Sequence, residues 1–152
     1  MEIKPLVTFI IGTRPEAIKL APVIKFFQDS KKLKVRVLLS GQHSEMVYQV
    51  MDLFNLNHDK NLNLMKDNQS INYITQEVLQ GMKLEFLRNK PKLVFVQGDT
   101  TTAFAASLPF KLDLLIACLI LRAVIIPLPI GFRDFVDKLD NEINVALHMK
   151  SK

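Results

Sequence analysis

The sequence predicts a doubly wound α/β fold, in which helices flank a parallel β-sheet. Three short apolar segments rich in β-branched residues are each followed by polar residues and then by apolar residues at helical spacing. Within these segments apolar and polar residues do not alternate, which is typical of strands buried on both faces of a parallel sheet. With 152 residues, 49% of them hydrophobic, the chain can form the core of one domain.

Residues 6–11 predict the first strand, because they form an almost continuous apolar run. Gly12 and Thr13 follow, and Pro15 suits the first turn of a helix. The apolar residues of that helix recur at helical spacing as far as Phe27, before the polar residues Asp29 and Ser30. The first unit is therefore a strand, a loop and a helix.

The second and third units repeat this pattern. Residues 35–39 predict a strand, which ends before Gly41, and apolar residues at helical intervals follow as far as residue 54. Residues 55–69 are polar and rich in Asn, so we expect a long connection there, and residues 71–87 return to a helical period. Residues 93–97 predict the third buried strand, and a helix is expected to begin near Ala103.

Charge and cysteine content narrow the classes of partner. The net charge of +5 favours anionic ligands. The basic residues are scattered and lack interleaved aromatic residues, so we expect a solvated surface and no nucleic-acid partner. Cys118 is the single cysteine, and no Cys/His spacing suggests a metal site. A reducing, cytoplasmic location without metal is therefore expected.

Polar residues follow each predicted strand, at the edge where doubly wound sheets bind ligands. They are residues 12–16, 40–43 and 98–102. Arg14, beside a helix start, has a planar guanidinium suited to phosphate or carboxylate. The plainer alternative is an exposed Arg14 and Glu16 that stabilise the first helical turn. Neither the glycine-rich dinucleotide motif nor a P-loop is present.

The other two loops also leave alternatives open. Asp99 could give or take a proton at the end of its strand, or it could cap the helix that follows. His43 is equally suited to a surface turn and to a ligand contact.

Four blocks of sequence carry a family resemblance. In order and spacing they resemble the non-hydrolysing UDP-N-acetylglucosamine 2-epimerases, and the resemblance extends over about residues 5–108. The blocks are Gly-Thr-Arg-Pro-Glu-Ala-Ile-Lys at 12–19, Gly-Gln-His at 41–43, Asn-Leu-Asn-Leu-Met at 61–65 and Gln-Gly-Asp-Thr-Thr-Thr at 97–102.

The resemblance implies a cytoplasmic enzyme of the GT-B type, with two Rossmann-like domains, of which this chain would be the N-terminal one. Such enzymes interconvert UDP-GlcNAc and UDP-ManNAc by eliminating UDP, forming a 2-acetamidoglucal intermediate and adding UDP back. They need no cofactor and no metal, and members are usually homodimers. Neither a nucleic-acid nor a membrane partner is implied.

The resemblance also implies roles for individual residues. Asp99 aligns with a family carboxylate that exchanges protons, and Arg14 and Lys19 align with substrate-binding residues. Three further residues fall where bacterial members contact a second, activating UDP-GlcNAc molecule: Gln42, His43 and Gln69.

The resemblance stops near residue 108. Two glutamates that accompany the family aspartate have no counterpart here, and the second domain is absent. We therefore predict a domain over residues 1–108 and a divergent apolar tail over 109–152, produced by truncation or a change of reading frame. The chain alone is expected to be an inactive fragment, with a sugar-nucleotide-binding or regulatory fragment, or a poorly folded product, as alternatives.

One segment of that tail, residues 112–130, is strongly apolar. Its uncharged stretch is shorter than the roughly 20 residues of a spanning helix, and Arg122 would lie at its centre. No membrane span is therefore expected.

Overall fold

The computed structural model describes residues 4–30, 32–42, 44–64, 69–108 and 115–119. All of them belong to one compact unit, Met1–Leu121. The strands are β1 (Leu6–Ile11), β2 (Lys34–Leu39), β3 (Lys60–Asn61), β4 (Leu93–Gln97) and β5 (Leu115–Leu119). The helices are α1 (Arg14–Asp29), α2 (Ser44–Leu53), α3 (Ile71–Asn89) and α4 (Thr101–Ser107).

These strands form a parallel sheet in the order β3-β2-β1-β4-β5, which confirms the predicted fold class. The central strand β1 pairs with β2 from Leu6↔Lys34 to Ile11↔Leu39, and on its other side it pairs with β4. From β1, the chain adds β2 and β3 on one side of the sheet and then returns to add β4 and β5 on the other side. In doubly wound sheets such a reversal opens a crevice at the carboxyl ends of the strands.

The two faces of the sheet are covered by different side chains. On the face covered by α1, the rings of Phe9 and Phe95 stack at 4.7 Å, and the ring of Phe27 meets both edge-on. The opposite face packs Ile10 and Val94 against a cluster of buried residues from α3 and α4. Because successive residues of a strand point to opposite faces, both sides of β1 and β4 are apolar.

The connection predicted over residues 55–69 contains a strand, so that prediction was incomplete. β3 has only two residues, Lys60 and Asn61, which pair with Leu38 and Leu39 at the edge of the sheet. Because both residues of β3 are polar and half-buried, no apolar pattern marks them. Helix α4 also begins at Thr101, two residues before the predicted start at Ala103, because Thr100 caps it.

The sheet continues beyond residue 108. Of the apolar run at 112–130, only Leu115–Leu119 is described, and it forms β5 beside β4. The other residues of that run, and residues 120–152, lie outside the described ranges, so the boundary after residue 108 stays a prediction. Within the part of the chain that the structure describes, no helix has the length and hydropathy to cross a membrane.

Candidate functional site

Three loops follow β1, β2 and β4 at the carboxyl edge of the sheet. We call them the first loop (residues 12–13), the second loop (40–42) and the third loop (98–100). Gly41 has a φ of 83° and Gly98 a φ of 88°, which lie in the left-handed region that glycine adopts without steric cost. These two glycines turn the chain sharply out of β2 and β4.

The first loop lies directly against helix α4. A Cβ on Gly12 would lie only 2.6 Å from Thr102 Oγ1 and 2.8 Å from Thr102 Cβ. Thr102 is itself buried, so its neighbours restrict its movement. The absence of a side chain at Gly12 therefore allows the first loop to lie close against the first turn of α4.

Glu16, in the first turn of α1, connects the first and third loops. Its side chain is buried, with the residue only 2% exposed. Oε2 accepts hydrogen bonds from Gly12 N at 2.6 Å and Thr13 N at 3.2 Å, and Oε1 accepts one from Thr100 Oγ1 at 2.6 Å. One carboxylate therefore holds both loops at the crevice between β1 and β4.

Thr102 connects the third loop's helix to the second loop. Its Oγ1 donates to Gln42 Oε1 at 2.9 Å and lies 3.3 Å from Ser40 Oγ. Together, Glu16 of α1 and Thr102 of α4 therefore connect all three loops through side-chain hydrogen bonds.

Lys19 lies one turn further along α1 and also reaches β4. With the amide of Gln97 oriented to satisfy its neighbours, its oxygen accepts from Lys19 Nζ at 3.2 Å and from Gly98 N at 3.1 Å. Gln97 is buried, so its amide is fixed beside the start of the third loop. The predicted substrate-binding residue Lys19 therefore lies at the same crevice.

Arg14 and Asp99 are both exposed at this edge. Asp99 lines a groove of about 1060 Å³ between α3 and α4, together with Lys83 and Phe104. The alternative in which Asp99 caps α4 is wrong, because Thr100 Oγ1 accepts from Ala103 N at 3.1 Å. The carboxylate of Asp99 is thus available to solvent at the end of its strand.

The three predicted effector residues have different surroundings. Gln42 bonds Thr102, as described above. Gln69 instead donates from Nε2 to Leu64 O at 2.7 Å, and Leu64 N bonds Ser40 O at 3.0 Å, which places Gln69 near the second loop. His43 lies outside the described residues.

The sequence did not predict which side chains connect the loops. They are Glu16, Thr100 and Thr102. The alternative in which Glu16 stabilises the first turn is confirmed, but Glu16 is buried and not exposed as that alternative supposed. The signal was present: Thr13 followed three residues later by Glu16 is the capping-box pattern. That pattern contains no information on the bond to Thr100, 84 residues away.

Electrostatically, the crevice combines the buried carboxylate of Glu16 with the amine of Lys19 and the guanidinium of Arg14 on one helix. Among the described side chains, no group of three or more His, Cys, Asp or Glu residues could hold a metal ion.

Comparison with known proteins decides the family. The family model described as UDP-N-acetylglucosamine 2-epimerase matches residues 25–117, more than half of the chain. The chain belongs to this epimerase family. The match to the UDP-N-acetylglucosamine 2-epimerase family extends past residue 108 into β5.

Individual epimerases support the assignment. The UDP-N-acetylglucosamine 2-epimerase of Salmonella borreze is 46% identical over 102 residues, which are 67% of this chain and 27% of that protein. The crystal structure of UDP-GlcNAc 2-epimerase from Neisseria meningitidis bound to UDP-GlcNAc has a TM-score of 0.66 and 45% identity, and covers 68% of this chain and 28% of that one.

An archaeal epimerase has the same fold. The Methanocaldococcus jannaschii UDP-GlcNAc 2-epimerase, solved in complex with UDP-GlcNAc and UDP, matches with a TM-score of 0.69 and 31% identity. It covers 74% of this chain and 32% of that one. The chain spans about a quarter of the length of the curated epimerases that it matches.

Proposed function

We propose that this chain forms the N-terminal, nucleotide-sugar-binding part of a UDP-N-acetylglucosamine 2-epimerase. The whole enzyme would interconvert UDP-GlcNAc and UDP-ManNAc by eliminating UDP and adding it back. The observation that carries this proposal is the hydrogen-bonded connection of the three loops at the crevice between β1 and β4. Each of those loops overlaps one of the four sequence blocks that resemble the family.

The described side chains suit distinct parts of such a substrate. Arg14 would bind a phosphate oxygen, because its guanidinium is exposed and can form paired hydrogen bonds with an oxyanion. Lys19 lies at the crevice on the same helix and would add a second positive charge against the diphosphate. Both cations would stabilise UDP as it departs with additional negative charge.

Asp99 would exchange a proton with the sugar. Its exposed carboxylate lies at the end of β4, where an oxygen can reach a bound ligand. Epimerisation at C2 needs a proton removed from one face of the sugar and returned to the other, so one carboxylate is insufficient. The reaction is redox-neutral overall, and we propose it without a redox cofactor and without metal.

We propose further that the chain acts in the cytoplasm, since its single Cys118 favours a reducing compartment. Gln42, His43 and Gln69 would form the regulatory site for a second UDP-GlcNAc molecule. Pairing into a homodimer belongs to the same proposal. The domain boundary after residue 108 stays a prediction, because β5 pairs with β4 beyond that residue.

The isolated 152-residue chain is expected to bind UDP-GlcNAc without converting it. General acid and base groups each contribute about 10²- to 10⁴-fold. Of the two carboxylates described at the crevice, that of Glu16 is buried and Asp99 alone is exposed to a ligand. Calorimetry with UDP-GlcNAc, and NMR of the same sample after incubation, measure binding and turnover. Formation of UDP-ManNAc would show that this chain is complete as a catalyst.

Arg14→Ala should weaken that binding by about tenfold or more, because a hydrogen bond between ions is lost. Arg88→Ala is the matched control, since Arg88 is an exposed arginine at the far end of α3. Equal losses in both variants would indicate nonspecific attraction by the net positive charge and would contradict the proposed site.

The second candidate is a regulatory fragment that binds the sugar nucleotide without taking part in catalysis. The observation that favours it is the position of two proposed regulatory residues at the second loop, where Gln42 accepts from Thr102 and Gln69 bonds Leu64. The two candidate functions predict different turnover when the remaining portion of a related epimerase is added as a separate chain. Gain of turnover supports a catalytic part, whereas binding that never yields turnover supports the regulatory fragment.

A further inference from the structure

Glu16 has more bonding partners than the start of a helix requires. In a capping box, the glutamate at the third helical position accepts from the backbone N–H of the cap residue. Here the same carboxylate also accepts from Gly12 N and from the hydroxyl of Thr100 on another loop. A buried carboxylate carries a large desolvation cost unless hydrogen bonds compensate it. The side chain is only 2% exposed, so these three bonds supply that compensation.

We propose that Glu16 is a positioning residue, whose buried carboxylate fixes the loop that carries Asp99 against the helix that carries Arg14 and Lys19. This inference rests on the proposed function, because Asp99, Arg14 and Lys19 are its assigned catalytic and binding groups. It assigns Glu16 no contact with substrate. Its effect on the reaction is indirect, through the backbone of the third loop.

The backbone on both sides of Asp99 is held from α1. On one side, Gly98 N donates to the Gln97 side-chain oxygen, which also accepts from Lys19. On the other side, the Thr100 hydroxyl donates to Glu16. Asp99 thus lies between two links to one helix, which limits its displacement relative to that helix.

The Thr100 hydroxyl uses its proton and one lone pair in hydrogen bonds that hold its orientation. Its Oγ1 donates to Glu16 and at the same time accepts from Ala103 N, the cap bond of α4. A hydroxyl has one proton, so its donor capacity is fully used by Glu16. Rotation toward another acceptor would leave a buried carboxylate oxygen without its partner, which is costly.

Glu16 accepts at both of its side-chain oxygens, from three donors in all. In Glu16→Gln, the amide oxygen would accept from the two backbone N–H groups, and the NH₂ would donate to Thr100 Oγ1, which also accepts from Ala103 N. The Thr100 proton would then lose its carboxylate acceptor, and a neutral amide would replace the charged partner. The link between the loops would therefore weaken.

The test compares Thr100→Val with Thr100→Ser in the 152-residue chain. Valine keeps the branched shape but removes the hydroxyl, whereas serine keeps both hydroxyl functions. Ser70→Ala is the matched control, because Ser70 caps α3 by accepting from Tyr73 N and is not part of the network. It reproduces the loss of a helix cap without disturbing the link to Glu16.

Two readouts are measured on each variant: amide hydrogen exchange at Gly12 and Thr13, and the affinity for UDP by calorimetry. Thr100→Val should accelerate exchange at Gly12 and Thr13 by about fivefold or more, although it changes a different loop. It should also weaken UDP binding by a similar factor. Thr100→Ser should restore both values, and Ser70→Ala should alter neither.

Faster exchange confined to the third loop in Thr100→Val, with Gly12 and Thr13 unchanged, would overturn the inference. Equal effects of Thr100→Val and Ser70→Ala on Gly12 and Thr13 would also overturn it, since a lost cap alone would then explain the result. Absence of UDP binding in the native chain would instead overturn the proposed function. The exchange comparison needs no ligand and therefore decides the positioning role separately.

Discussion

Gly12 is the residue at which the first loop meets helix α4. Its position depends on space and not on an unusual backbone angle, since the atoms of buried Thr102 occupy the place of a side chain. Gly81 differs, because a Cβ there would meet only the end of the flexible Leu62 side chain at 3.2 Å. The same substitution should therefore have opposite consequences at the two glycines.

Gly12→Ala should lower the free energy of unfolding by about 1–3 kcal/mol, the usual cost of forcing extra atoms into a packed region. Gly81→Ala lies inside α3, where alanine favours the helix by up to about 1 kcal/mol, so its effect should be neutral or stabilising. Urea unfolding of both variants measures the difference. A Gly12→Ala protein as stable as the native chain would show that Thr102 can move aside.

The sequence predicts which individual residues belong to the site, but not which of them bond each other. It indicates the polar loops, and with them Arg14 and Asp99, because they follow apolar strands, whereas Lys19 is indicated only by the family resemblance. It does not reveal that Thr100 and Glu16 bond each other, because that contact depends on the parallel pairing of β1 with β4. Long-range contacts between polar side chains leave no periodic pattern in the sequence.

Helix α3 is fixed to the edge of the sheet by a buried ion cluster. Glu85 is only 3% exposed, and its carboxylate lies 3.0 Å from Arg36 Nη2 on β2 and 3.3 Å from Lys60 Nζ on β3. The side chains of the two cations differ in exposure, at 16% for Arg36 and 39% for Lys60. Arg36 therefore depends more strongly on its anionic partner.

Glu85→Ala should lower the free energy of unfolding by about 3 kcal/mol, because a largely buried cation loses its partner. Lys60→Ala should cost less than about 1 kcal/mol, since the more exposed amine is well solvated in either state. Denaturant unfolding at low and at high salt measures both. If the two variants had the same free energy of unfolding, the ion cluster would contribute no more to stability than an exposed ion pair does, although Glu85 is buried.

The elements themselves were largely predictable, and the exceptions have a physical cause. The strands β1, β2 and β4 lie inside a sheet covered on both faces, so burial required the apolar runs that the sequence displays. β3 is a polar edge strand of two residues, held by pairing with β2 and by the bond from Asn61 Nδ2 to Tyr48 Oη at 2.7 Å. Such a strand depends on its neighbours and cannot be recognised alone.

For the whole molecule, the strand order decides where a ligand can bind. The reversal between β1 and β4 brings the first and third loops to one crevice, which is where we propose that the nucleotide sugar binds. The sequence predicted the parallel sheet but not its extension by β5, which lies beyond the predicted domain boundary after residue 108. Whether the domain ends before or after β5 therefore determines how stable a shortened chain should be.

Chains ending at residue 108 and at residue 121 should differ in stability. β5 pairs with β4 along Leu93↔Leu115 to Gln97↔Leu119, and every residue of β4 is buried. Without β5, one edge of β4 would expose unpaired N–H and C=O groups beside the third loop, which favours association between chains. The shorter chain should therefore lose much of the roughly 5–15 kcal/mol typical of a domain, and form oligomers.

Thermal unfolding and sedimentation of the two truncated chains, each at the same concentration, measure this difference. A lower melting temperature for the 108-residue chain, with the 121-residue chain close to the full sequence, would place the domain boundary after β5. Equal melting temperatures and monomeric behaviour for both would instead support the boundary after residue 108.

UDP binding by the two chains adds a second comparison, because β5 supports β4, from whose end the third loop projects. A site that depends on the position of Asp99 should weaken when that support is removed.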